Sequence, residues 1–575
     1  MEIGNFMLLS DYFNYMSTLS TVTFLVALFV LIPLGLFLCR YKLKFVIISI
    51  LGLIQTTVYL SQILMLVVNY LKTANHNIVG SVLEYGIPVG FFIVVGLGII
   101  RYGLQIWVNH WQYQPLRPVV VRSDLKTRLQ KWFRFLLKWT KSPEGIGVCI
   151  IEMFVLVIHL IFIAQPASIG LLDEGYYIPE ALRFLYRLPM SIPEHPPLGK
   201  WLIASGIYIF GNGPVGWRIM SVFFSLIGIF IFYLIIKNLT AKWPQASPFV
   251  PLLGVFLFAT ENMTFVMGHV ATLDVFYVTL MLLGFFLYLR GNYTSCGIAM
   301  GLSLLCKVTA LLGVAAILLH WVITHRREIV AELRNVWTIV NERGMLSPLS
   351  NNILNMFKML VFAVAVWLVL IVPLEYGSAH QFTSNTFWYN PLFRAIYMLW
   401  YAVNMSSANL AQGMLKGGSM VMVRTPIMWI LSPSSLNINL TSDVNVVRYL
   451  DSIGWNIWVL IIPSFLYLIY ASVTIRETGH DVALFLACWL LCIYGALVVL
   501  QLATGRLMYD YYFYPAVPAV CLTIAWGFWR VWELARKRVN TRVAFITGLS
   551  LYVLGSLVVF VIMSPLGTHL IKLPL

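Results

Sequence analysis

The stretch WRIMSVFFSLIGIFIFYLIIK, residues 217–237, decides the fold class. An α-helix rises 1.5 Å per residue, so roughly 20 apolar residues cover the ~30 Å hydrocarbon core of a bilayer. This run has that length, and its only charges, Arg218 and Lys237, stand at its two ends. Comparable runs lie near 21–39, 44–70, 81–104, 146–167, 248–266, 271–289, 294–306, 308–323, 357–374, 453–474, 482–503, 513–532 and 543–562. With 217–237 they predict an all-α polytopic membrane protein of about 14 transmembrane helices. Composition agrees: 60% of the 575 residues are AVILMFWYC, 10% are charged, and the mean hydropathy is +0.85. A soluble domain runs at roughly 45–50% apolar and about 25% charged, so soluble, disordered and disulfide-scaffold classes are excluded.

The excess of 38 Lys+Arg over 22 Asp+Glu, a net +16, is topological and does not indicate nucleic acid. Arg117, Arg122, Lys126, Arg128, Lys131, Arg134, Lys138 and Lys141 form a basic stretch that the positive-inside rule assigns to the cytoplasm. Alternation from there puts Lys237, Arg290, Arg326, Arg476 and Arg536 on the same face. Three parts follow: a three-helix membrane extension at 1–110, a basic cytoplasmic linker at 111–145, and the main membrane module at 146–575. The module's outer loops lie near 168–216 and 375–452. The short runs 294–306 and 308–323 read as a broken or re-entrant hairpin bent at Cys306-Lys307-Val308-Thr309. From Pro179 the first outer loop reads as an amphipathic surface helix. Seven cysteines fall in or beside apolar runs and form no disulfide framework or zinc set.

Ionisable residues at membrane depth are rare and carry a functional expectation. Those on the outer face include Asp173, Glu174, Glu180, Glu194, His195, Lys200 and Arg218 in or beside the first loop, then Glu261, His269, Asp274, Lys307, Arg506 and Asp510. Carboxylate, imidazole and cation on one face suit transfer to a nucleophile from a lipid-linked phosphate donor: a carboxylate takes the acceptor proton, and a cation offsets charge on the departing phosphate. No Walker loop or dinucleotide fingerprint is present, so a membrane-delivered donor fits better than a nucleotide.

Asp173-Glu174 with Tyr177, the string Glu194-His195-Pro196-Pro197-Leu198-Gly199-Lys200, and Gly216-Trp217-Arg218 together resemble the first outer loop of the GT-C glycosyltransferases, which include protein O-mannosyltransferases and lipid A aminoarabinose transferases. Ala271-Thr272-Leu273-Asp274, the run from Gly297 to Thr309, and RLMYDYYFYPAVP at 506–518 resemble later parts of that family, so the similarity spans about 146–530. The resemblance implies a GT-C fold and a multi-pass plasma-membrane enzyme with its site on the extracytoplasmic face. It implies Asp173 as catalytic base with Glu174 as partner, inversion at the anomeric carbon, and polyprenyl phosphate as leaving group. Donor phosphate or sugar would be held by His195, Lys200, Arg218, Lys307, Arg506 and Tyr509. Tyr177, Asp274 and Asp510 would serve the acceptor or brace the site. For Arg218 the charge partner is either the donor phosphate or the acidic pair, and for Lys307 snorkelling to the interface is the plainer alternative.

His195 matches the mannosyltransferase branch, where the aminoarabinose branch usually carries Lys, which favours mannose and a protein Ser/Thr acceptor. Transfer of another sugar to a lipid or glycan is the alternative. Glu194 stands where the aminoarabinose branch places a metal-binding Glu, so a divalent ion held by Glu194 with His195 or His269 is one expectation; a hydrogen-bonded pair without metal is the other. No cofactor is otherwise called for. A transporter would show inverted repeats, and no repeated half is seen.

Overall fold

The computed structural model describes residues 138–567 except 168, 170–171, 189, 242–245, 247, 343–350, 380–394, 396, 400, 402–424, 432–435, 438–449, 475–479 and 507. The predicted spans near 21–39, 44–70 and 81–104, residues 117–134 of the basic stretch and most of the second outer loop lie outside the described residues. Contacts divide the chain into two units. The smaller comprises 1–122, 325–361 and 379–397; in its described part Asn352 Nδ2 donates to Glu328 at 3.1 Å. The larger, 123–324, 362–378 and 398–575, carries every functional candidate.

The helices are α1 (Pro143–Phe162), α2 (Glu174–Leu185), α3 (Leu198–Phe210), α4 (Pro214–Leu239), α5 (Phe249–Ala259), α6 (Asn262–His269), α7 (Asp274–Leu289), α8 (Tyr293–Cys306), α9 (Leu311–Glu342) and α10 (Asn351–Ala379). After α11 (Pro426–Leu431), the two-residue strands Leu436–Asn437 and Leu450–Asp451 pair antiparallel. Then come α12 (Trp455–Thr474), α13 (His480–Leu490), a π-turn at Leu491–Gly495, α14 (Ala496–Thr504), a 3₁₀ segment Asp510–Ala516, α15 (Val517–Ala535) and α16 (Val539–Met563). Seven described helical segments are long and apolar enough to cross a membrane, or eight if the bent pair α5–α6 is one span. The chain is a multi-pass membrane protein. The predicted runs near 271–289 and 294–306 are shorter apolar helices, α7 and α8.

Local chemistry sets these elements. Ser142-Pro143-Glu144 opens α1: Ser142 accepts from the Gly145 N–H at 3.0 Å, Pro143 has no N–H to leave unpaired, and Glu144 lies at the positive end of the helix dipole. Glu144 pairs with Lys237 near the end of α4 at 2.8 Å, while Arg218 near the start of α4 reaches the Ile163 carbonyl just past α1. The two helices therefore run antiparallel, with Arg218 and Lys237 at opposite ends. Helices α3 and α4 approach closely: a Cβ on Gly206 would stand 2.5 Å from the Gly216 carbonyl oxygen. Small residues allow that approach in lipid, where packing replaces the hydrophobic drive between helices.

Three expectations are corrected. The run near 248–266 breaks into α5 and α6, bent by 59°. Glu261 takes extended backbone at the break and caps α6 by accepting from the Thr264 N–H at 2.7 Å; its other oxygen accepts from the Gly454 N–H at 2.8 Å. Those bonds replace what the interrupted helix gives up. The first-loop helix starts at Glu174, not Pro179, which sits inside it; the carbonyl that Pro179 leaves without a helical donor belongs to exposed Gly175, in the first turn. The run near 513–532 is the 3₁₀ segment plus α15, which is not among the seven membrane-length helices. The predicted break at 306–309 is present: Lys307 is extended between α8 and a 3₁₀ turn at Val308–Ala310.

Candidate active site

Asp173 precedes α2 after a sharp turn in which Leu172 takes φ +45°, a left-handed conformation that costs a bulky residue energy and concentrates at functional sites. The Asp173 side chain makes no capping bond to α2. Its Oδ2 instead accepts from the Tyr511 hydroxyl at 2.9 Å, a partner 338 residues away on the 3₁₀ segment. Lys307, in the break after α8, donates Nζ to both oxygens of Asp274 at 2.8 and 2.9 Å. The same ammonium lies over the rings of Tyr512 at 5.3 Å and Tyr511 at 5.4 Å. Arg506, after α14, lies over Tyr512 from the other sequence direction at 5.8 Å. Tyr509 stacks on Tyr511 with centroids 5.6 Å apart, and Asp510 is buried at the start of the 3₁₀ segment. The breaks and ends of α2, α7, α8 and α14 thus deliver Asp173, Asp274, Lys307 and Arg506 to one cluster.

Electrostatics follow from that packing. Burial pushes the Asp173 carboxyl above the ordinary Asp range, and Asp274 adds to the rise, while the Lys307 ammonium and the Tyr511 hydrogen bond oppose it. Burial raises the Tyr511 phenol well above its usual value, with the Asp173 charge second, so Tyr511 is the donor in the pair. His195 packs edge-on against Tyr177 at 5.7 Å. Burial first, then Lys307, Lys200 and Arg506, lowers the His195 imidazole well below its usual value, so it is neutral near pH 7. Burial and the charges of Asp173, Asp274, Tyr512 and Glu194 hold the Tyr177 phenol protonated.

The four predicted cations separate into distinct environments. Arg218 is fully buried and clamps Glu174 through Nε at 2.8 Å and Nη2 at 2.9 Å, with Nη1 donating to the carbonyls of Ile163 and Pro166. Glu174 also accepts from the Ala271 N–H at 3.1 Å. Of the two roles expected for Arg218, this geometry is that of partner to the acidic pair. Lys200, also fully buried, donates to the Ile192 carbonyl and pairs at 3.6 Å with Glu180, which in turn accepts from Ser191 and Ile192 N–H groups. It therefore fastens the loop between α2 and α3. Lys307 is shared with Asp274. Arg506 is half-buried, and among the described residues its side chain has no ion pair and its Nε no hydrogen-bond partner.

An apolar cleft opens from Lys307 and Tyr512 between Met281, Leu312, Ile493 and Leu497. Among the described residues no three His, Cys, Asp or Glu side chains are grouped to hold a metal ion. His269 meets His159, Nδ1 to Nδ1 at 3.1 Å. Tyr511, Tyr512 and His159 are not among the site residues singled out from the sequence. Their partners lie far along the chain, and no local spacing signals such pairs.

Residues 194–340 match the family model of dolichyl-phosphate-mannose-protein mannosyltransferases. A polyprenol-phosphate-mannose–protein mannosyltransferase of Corynebacterium glutamicum is 28% identical over 155 residues, 24% of this chain and 29% of that protein. The counterpart from Mycolicibacterium smegmatis is 28% identical over 137 residues, 22% of this chain and 26% of the relative. The alignments thus span less than a third of the length of these curated relatives. In structure, the S. cerevisiae protein O-mannosyltransferase Pmt1-Pmt2 complex bound to the sugar donor aligns with a TM-score of 0.52 at 13% identity, covering 75% of this chain and 91% of that one. The chain therefore has the GT-C fold of that mannosyltransferase, and its segment 194–340 is similar in sequence to the protein mannosyltransferase family.

Proposed function

We propose that this protein is a membrane glycosyltransferase that moves a mannosyl residue from a polyprenyl-phosphate donor to the hydroxyl of a protein Ser or Thr on the extracytoplasmic face, with inversion. The observation that carries the proposal is the Asp173 carboxylate, free of capping duty, oriented by Tyr511 and set in the field of Lys307. Asp173 accepts the proton of the acceptor hydroxyl. The acceptor oxygen forms its bond to the anomeric carbon as the bond to the phosphate oxygen breaks, and that electron pair leaves on polyprenyl phosphate. Charge growing on the phosphate is met by Arg506, whose Nε has no partner among the described residues, and by Lys307, which shares itself with Asp274. Neutral His195 and protonated Tyr177 offer hydrogen bonds to sugar or phosphate without adding charge. Glu174, Arg218 and Lys200 act one step back, holding the loops that present Asp173 and His195.

The mannose and protein assignments draw on the relatives' activities and on His195 matching the mannosyltransferase pattern. The test is transfer of radiolabelled sugar from polyprenyl-phosphate-mannose, with polyprenyl-phosphate-glucose and -aminoarabinose as competitors, to membrane proteins. Label released from protein by β-elimination supports the reading; label found only in lipid or glycan moves the acceptor to those classes.

A further inference from the structure

Two imidazoles lie in the bundle outside the cluster around Asp173: His159 on α1 and His269 at the end of α6, both fully buried. Their Nδ1 atoms stand 3.1 Å apart, so one ring donates a hydrogen and the other accepts it. Both rings stack with Phe265, at 4.2 Å and 6° for His159 and 5.9 Å and 18° for His269. His269 also meets the backbone of Phe162 and Gln165. The neighbouring carbonyls of Ile163 and Pro166 accept from Arg218, the residue that clamps Glu174 next to Asp173. Residues 162–166 are thus held by an imidazole and a guanidinium together, where the chain leaves α1 for Asp173. A pair of apolar side chains would pack in lipid at lower desolvation cost, so two histidines at this depth call for a use.

We infer that His159 and His269 are positioning residues for Asp173: the imidazole pair fixes the backbone at 162–166, from which the chain runs on to Asp173, and so sets where the carboxylate stands relative to Tyr511 and Lys307. The kinetic half of the test rests on the proposed reaction; the structural half does not. His159→Phe keeps a flat ring on Phe265 and removes the nitrogen, whereas the amide of His159→Asn can donate or accept at the position of Nδ1. Full-length variants in detergent micelles are assayed for transfer from polyprenyl-phosphate-mannose, and deuterium uptake is measured on peptides spanning 163–173 and 214–239.

The expected result is a fall in kcat of roughly 10–100-fold for His159→Phe with donor KM within about twofold, as a displaced catalytic group gives, and rescue in His159→Asn. Uptake in 163–173 rises for His159→Phe and not for His159→Asn, while 214–239 is unchanged. Equal uptake in all three proteins, an Asn variant as impaired as the Phe variant, or a change in KM alone overturns the inference. If the wild type transfers from no donor, the proposed function fails and the uptake comparison decides the inference by itself. Should His159→Phe not fold, His269→Asn, too short to serve both His159 and the 162–165 backbone, carries the same two readings.

Discussion

Replacing Glu174 by Ala strands the Arg218 guanidinium in a site with no solvent exposure. The side chain then keeps only the carbonyls of Ile163 and Pro166, at 3.2 and 3.0 Å, and no counter-charge. Two charge-assisted bonds at about 1.5–3 kcal/mol each are lost, and the Ala271 N–H loses its acceptor. That agrees with the 3–5 kcal/mol, in order of magnitude, that breaking a buried ion pair from one side costs. Arg218→Met should cost about as much by leaving Glu174 charged and buried. The double variant removes both charges, so its destabilisation falls short of the sum of the singles by roughly 3 kcal/mol. Reversible denaturant unfolding in mixed micelles, followed by tryptophan fluorescence, measures all four proteins. Single variants as stable as wild type, or strictly additive losses in the double, would refute the claim that these two residues answer each other's charge.

Other outcomes follow from the same geometry. Asp173 must be ionised to act as base, and its pKa is raised, so kcat/KM should fall as pH drops through a value above the ordinary Asp range; a flat profile from pH 4 to 8 contradicts this. Tyr511→Phe deletes a hydrogen bond that favours the carboxylate and should move that acidic limb to higher pH, read from pH–rate profiles of both proteins. Arg506→Ala should raise donor KM about 10–100-fold, with Arg506→Lys recovering part of it, as measured by steady-state kinetics with varied donor. Glu180→Ala, which removes the ion pair to Lys200 and the acceptor of the Ser191 and Ile192 N–H groups, should cost about 1–3 kcal/mol of stability in denaturant unfolding, with donor KM unchanged in the protein that remains folded.

Hydropathy located the helices because lipid imposes length and apolarity together: 217–237 became Pro214–Leu239, 482–503 became His480–Thr504 with an internal π-turn, and 543–562 became Val539–Met563. The break at Lys307 was legible in the sequence, but not as a hairpin of two short runs: only Tyr293–Cys306 is short, while Val308–Ala331 beyond the break is long and apolar enough to span. The break at Thr260-Glu261 was not, because a single Glu in a long apolar run looks like an interfacial residue until Gly454 appears opposite it. Pro179 misled for a related reason: Pro marks the first turn of many helices, but here it sits one turn further in, and the carbonyl it leaves without a donor belongs to exposed Gly175. At the site, the residue types could be read but not their pairings. Arg218 with Glu174 and Tyr511 with Asp173 span 44 and 338 residues, and only the fold decides which cation is spent on a carboxylate and which stays available.

The most direct measurement is transfer of radiolabelled mannose from polyprenyl-phosphate-mannose by purified wild type and Asp173→Asn side by side, with donor binding measured on both. Asn keeps the shape and the acceptor for Tyr511 but cannot take a proton. The expected result is donor binding within about threefold of wild type and a transfer rate lower by about 10²–10⁴-fold, the range for loss of a positioned general base. An Asp173→Asn protein that transfers sugar at the wild-type rate would contradict the assignment of Asp173 as base and, with it, the proposed chemistry of the site.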